Sequence, residues 1–147
     1  MIIIEDYLKT NFHFLLNQGF TFDKKIEENM FSSSLLTSRV SELIFCFTFE
    51  KGILSVSITS LKILNNDKFN CYSKYYDMFY VSKLLNPNLK FSDITDLIYP
   101  DLIKDHWDTI NNLLNEEVLD DNIKKLNKIA KSYDKIRWSK NSIDYSK

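Results

Sequence analysis

The chain has 147 residues, 44% of them apolar and 14% aromatic, which is enough for one domain with one well-filled core. Charged residues make up 27% and the formal net charge is −1. That balance argues against a general nucleic-acid binder, which would carry a basic excess.

Ile4, Leu8, Phe12 and Leu15 recur at steps of four, four and three, which predicts a helix over residues 4–18. Gly19 stands where a C-cap glycine belongs, and Phe20 and Phe22 open a first strand after it. Residues 29–34 are small and polar and read as a turn, with a further strand over Ser34–Val40. In Leu43–Glu50, Leu43, Phe45, Phe47 and Phe49 alternate with Ile44, Cys46, Thr48 and Glu50; Ile53–Thr59 sets Leu54, Val56 and Ile58 on one face and Ser55, Ser57 and Thr59 on the other; and Glu50-Lys51-Gly52 joins the two runs as a hairpin. The second of these strands has one apolar face, so the sheet is antiparallel and covered on one side.

Residues 65–83 carry two readings; a helix from Lys74 to Leu85, ended by Asn86-Pro87, is the better. Ile103, Trp107, Ile110 and Leu114 mark another helix, with Pro100-Asp101 at its start. Leu119, Ile123, Leu126, Ala130 and Tyr133 mark the next, and residues 139–147 form a polar tail expected to fray. Strands grouped between helices predict an α+β fold: an N-terminal helix, an antiparallel sheet of three to four strands, then a C-terminal helical region, in a single domain spanning 1–147.

The chemical inventory is thin. Gly19 and Gly52 are the only glycines, too few for a phosphate-cradling loop or a GxSxG elbow. His13 and His106 share no metal-ligand spacing. Cys46 lies inside the strongest strand pattern and reads as a buried, inert thiol; Cys71 lies in an aromatic-rich stretch. With only two cysteines, reduced thiols are a better reading than a disulfide framework. The carboxylate pairs Glu27/Glu28, Glu116/Glu117 and Asp120/Asp121 are adjacent residues that diverge by about 100° on a helix, which suits solvated surface better than paired catalysis. The aromatic residues at 69–80 read as a core or partner-facing cluster rather than a base-stacking platform. No enzyme and no cofactor are expected. The opening Met1–Ile4 meets Glu5 and Asp6, unlike a secretory leader, and no apolar run approaches the ~20 residues that span a bilayer, so the expected location is the cytoplasm, away from membranes.

One constellation is electrostatic. Residues 93–121 hold Asp93, Asp96, Asp101, Asp105, Asp108, Glu116, Glu117, Asp120 and Asp121 against Lys104 alone, a local net of −8. Residues 122–147 carry a net of +6. Asp101, Asp105 and Asp108 follow the step of the Ile103–Trp107–Ile110 stripe, displaced by about 200° around the helix. If Trp107 faces the core, these carboxylates form an outward stripe that can steer and hold a basic partner. Two other roles fit the same residues: a solvated helix face with acids near its N-terminus, or an internal surface for the basic helix that follows.

The segments FHFLLNQGF (12–20) and SLLTSRVSELIFCFTFEKGILSVSITSL (34–61), within residues 5–64, resemble small immunity proteins of bacterial polymorphic-toxin systems, those of contact-dependent growth inhibition among them. The resemblance implies a cytoplasmic inhibitor that binds a cognate toxin domain and blocks its active site. Such toxins are often basic nucleases, which an acidic surface would suit. The alternative expectation is a non-enzymatic structural or regulatory module that dimerises through the 69–80 segment or the 119–136 helix. Neither reading involves direct nucleic-acid binding.

Overall fold

The structure, a computed structural model, describes residues 3–28, 31–65 and 74–145, with side chains at all of these except 25, 27, 28 and 138–145. The expectations for Cys71, Phe69 and Tyr72, and for the Glu27/Glu28 side chains, lie outside the described residues.

The fold is α+β. Helices α1 (Ile4–Asn11) and α2 (His13–Asn17) precede strands β1 (Thr21–Glu28), β2 (Phe31–Thr37), β3 (Leu43–Glu50) and β4 (Ile53–Ser60). Then come α3 (Leu61–Leu64), β5 (Tyr76–Asp77), α4 (Met78–Leu85), α5 (Tyr99–Asp105), α6 (Trp107–Asn112) and α7 (Leu119–Tyr145). The strands make one antiparallel sheet in the order β1-β2-β3-β4-β5.

Ile4, Leu8, Phe12 and Leu15 are all buried, as their spacing predicts, but the predicted helix is two pieces that break at Phe12 (φ −118°, ψ 31°). The break leaves Phe12 free to meet Phe47 edge-on at 4.7 Å between ring centroids. Gly19, at φ +92°, ends α2: its N–H donates to Leu16 O and the Phe20 N–H donates to Leu15 O, the Schellman pattern. Lys51 (φ 52°) and Gly52 (φ 80°) turn β3 into β4 as a two-residue left-handed hairpin, with Glu50 opposite Ile53.

The segment expected as a turn, 29–34, is instead strand from Phe31 onward, and the fifth strand exceeds the three or four expected. Cross-strand packing explains the first change. Ser32 stands opposite Phe49 and Ser34 opposite Phe47, so small inward side chains make room for large ones. Ser34 Oγ is fully buried with no hydrogen-bond partner among the described residues. A buried hydroxyl without a partner opposes folding. Ser34→Ala is therefore expected to raise the unfolding free energy by about 1 kcal/mol, read from urea denaturation. A loss of stability would contradict this account.

The helix expected from Lys74 starts only at Met78. Tyr76 pairs with Ile58 and Asp77 with Ser57, which draws those two residues onto the sheet edge. Asp77 then caps α4, its Oδ1 accepting from the Phe79 N–H at 2.9 Å. At the other end, α7 continues to Tyr145. The apolar face of the sheet (Leu36, Phe45, Phe47, Phe49, Leu54, Val56, Ile58) packs in one buried core with α1, α2 and the later helices. Cys46 points to the opposite face and is half-buried rather than enclosed, its Sγ 4.0 Å from Thr48 Oγ1.

Candidate functional site

Trp107 decides how the acidic segment is presented. Its ring meets Phe14 edge-on at 5.6 Å and Phe20 at 5.7 Å, and stacks with Phe45 at 6.4 Å. The indole is thus wedged between α2 and β3, and the opposite sides of α5 and α6 face water. Asp101, Asp105 and Asp108 are all exposed. Among the described residues, no ion pair joins any of the three to a basic side chain.

The stripe does not lie on one helix, as the spacing implies. His106, at φ −111° and ψ 25°, separates α5 from α6, so Asp101 and Asp105 belong to one short helix and Asp108 to the next. Hydrogen bonds from the His106 N–H to Leu102 O and from the Ile110 N–H to His106 O carry the chain across the break. Seating Trp107 in the aromatic pocket accompanies this local loss of helical backbone.

The remaining acids have different settings. Asp93 ends a short 3₁₀ turn and is exposed; Asp96 is half-buried beneath the start of α5. Glu116 is drawn to Lys62 of α3 at 3.3 Å, and the same ammonium lies 3.7 Å from Glu42. Asp121 pairs with Lys125 one turn along α7 at 3.0 Å. Glu117 precedes α7 and Asp120 lies in its first turn; both are exposed. Self-pairing therefore takes up the later end of the segment and leaves the α5–α6 end open. Lys62, 54 residues from Glu116, gave no local signal of this role.

Asp96 also acts on tyrosines. Burial lifts the Tyr99 phenol far above its ordinary value, and the carboxylates of Asp77 and Asp96 add to the effect. Tyr7, Tyr75, Tyr76 and Tyr80 are raised too, burial being the largest cause in each. The folded chain keeps protons that the unfolded chain releases near pH 10, so this stabilisation is complete below about pH 10 and is lost as pH rises beyond it. Unfolding free energy should fall as pH rises above about 10, with a shallower fall for Tyr99→Phe. Equal slopes for both chains would refute the assignment to Tyr99.

Other candidates resolve simply. His13 is exposed and hydrogen-bonds Asn17 at 3.2 Å, and His106 is half-buried. No three His, Cys, Asp or Glu side chains converge as a metal site among the described residues. Phe79 and Tyr80 are engaged internally: Tyr133 of α7 sits 4.8 Å from Phe79, 5.0 Å from Phe91 and 6.3 Å from Tyr80. Between α4, α6 and α7 runs a groove of about 350 Å³ lined by Leu84, Leu85, His106, Leu113, Val118 and Asn122, among others. No described helix is long and apolar enough to cross a membrane.

Comparison with known proteins adds no relative: no family model, no curated protein and no solved structure matches the chain.

Proposed function

We propose that this chain is an immunity-type inhibitor that acts in the cytoplasm, binding a cognate toxin domain and neutralising it without chemistry of its own. The observation that carries the reading is the outward set Asp101, Asp105 and Asp108, held exposed and without basic partners among the described residues by the inward Trp107. Unpaired surface carboxylates on a rigid support raise the encounter rate with a basic protein and fix its approach.

The groove supplies a second element of an interface. His106 and Thr109, two of its lining residues, are the sequence neighbours of Asp105 and Asp108. An apolar floor beside a charged rim is the usual anatomy of a specific protein contact. Asp93, Asp96 and Glu117 extend the negative field, while Glu116 and Asp121 contribute less because Lys62 and Lys125 already compensate them. The partner that suits this surface is a basic domain, a nuclease being one such class.

The test is protection. Co-expressed with each of a panel of basic nuclease toxin domains, the chain should rescue host growth from its cognate one, and the variant Asp101→Lys/Asp105→Lys/Asp108→Lys should not. Full rescue by the triple variant would remove this surface from the interface. Failure of the unaltered chain to rescue would remove the immunity reading itself.

A further inference from the structure

The solvent side of α7 orders its basic charge. Lys124, Lys128, Lys131 and Lys135 step by four, three and four, so they fall within a sector of about 60° and form a stripe about 16 Å long. All four are exposed, and the buried Leu119 and Leu126 lie on the other side of the helix. None of the four makes an ion pair among the described residues, whereas their neighbours Lys125 and Arg137 pair with Asp121 and Asp134.

Beside Lys128 the surface turns apolar. A cleft of about 260 Å³ between α4 and α7 is lined by Lys83, Leu84, Pro87, Lys125, Lys128 and Ile129. Lysine stems cover apolar surface while their ammonium groups reach water, so the cleft has an apolar floor and a cationic rim. One wall is held in place: Lys83 Nζ donates to Pro87 O at 2.9 Å and to Leu89 O, tying the turn after α4 to the helix end. Ile136, 45% exposed, stands two turns beyond Ile129 and within about 20° of it around the helix. Apolar side chains seven apart, flanked by lysines seven apart (Lys124 and Lys131, Lys128 and Lys135), give the layout against which a second helix packs.

Three kinds of anionic surface bind basic helices. A bilayer takes up the apolar face of such a helix, but here that face is already buried in the core. A nucleic-acid backbone is held by charge alone and makes no use of an apolar cleft, and the negative total of the chain opposes a long polyanion. An acidic amphipathic helix uses both features, its carboxylates meeting the lysines and its apolar residues covering Ile129 and Ile136.

We infer that the solvent side of α7 docks an acidic amphipathic helix of another protein, with apolar side chains entering the α4–α7 cleft and carboxylates held by Lys124, Lys128, Lys131 and Lys135. The surface uses none of the α5–α6 aspartates, so it stands or falls independently of the inhibitor reading.

The test ligand is a synthetic peptide of about 20 residues, long enough to form a helix, with leucines seven apart and glutamates flanking them. Backbone amide NMR follows its titration into the full chain, and circular dichroism verifies folding of each variant. Shifts should concentrate on residues 124–136 and on the turn 86–89. Lys128→Glu/Lys131→Glu should weaken binding by at least about tenfold, and Ile136→Ser, a single exposed change, by about fivefold. A control peptide with serine in place of each leucine should bind at least about tenfold more weakly. Ile136→Ser and the control peptide decide the matter if the double reversal does not fold. Shifts absent from α7, equal affinity for the two peptides, or tighter binding of a polyuridine strand of equal charge would each overturn the inference. So would a parent chain that self-associates in sedimentation and is made monomeric by Lys128→Glu/Lys131→Glu, since the occupant would then be a second copy.

Discussion

Trp107→Ala is expected to lower the unfolding free energy by about 3 kcal/mol, the lower end for removing a large aromatic side chain, since the indole is only half-buried. The loss has a definite origin. Trp107 meets Phe14 of α2, Phe45 of β3 and Phe20 of the link between α2 and β1, so its removal leaves a void where these segments converge. Urea denaturation measures the effect. Trp107→Phe should recover part of it, because a smaller ring still fills some of the space. A change below about 1 kcal/mol for the alanine variant would mean that the indole is not the wedge described. It would also mean that the outward direction of the aspartates rests on something else.

The triple reversal of Asp101, Asp105 and Asp108 to lysine carries the largest functional effect. Exposed substitutions away from packing usually change stability by no more than about 0.5 kcal/mol, so the variant should fold normally. Its association with a basic partner should slow by about 100-fold at low salt, within the range that electrostatic steering spans. At high salt the difference should shrink markedly, because screening acts over about 10 Å near 0.1 M. Stopped-flow association measured at both salt concentrations separates steering from a general loss of contact. An equal loss at both would point to damaged packing. An unchanged rate at low salt would show that the partner does not meet this face.

The contrast with Glu116 and Asp121 sharpens that expectation. Both lie in the same acidic segment, yet each faces a lysine of its own chain. Reversing them should matter less to an approaching partner. Asp121 and Lys125 are one helical turn apart, and such a pair can be read from spacing. The pairing of Glu116 with Lys62 cannot, because it depends on where the end of β4 sets α3 against the turn that follows α6.

What was legible in the sequence was local. The period-two apolar face of Phe45, Phe47 and Phe49 and of Leu54, Val56 and Ile58, with Lys51-Gly52 between, specified the central hairpin, because a period of two has one physical realisation when one face must be buried. The helical stripe of Ile4, Leu8, Phe12 and Leu15 and the Gly19 cap were equally clear. So was the segregation of negative charge into 93–121, which needs no coordinates to see.

Tertiary structure decided the remainder. Phe31–Ser34 became strand because Phe47 and Phe49 needed small partners across the sheet. Tyr76 and Asp77 became strand because β4 had a free edge there. The helix carrying the aspartates broke at His106, where Trp107 enters the aromatic pocket. That Glu116 was compensated followed from where Lys62 arrived. In each case the deciding partner is distant along the chain, so no window of neighbouring residues contains the information.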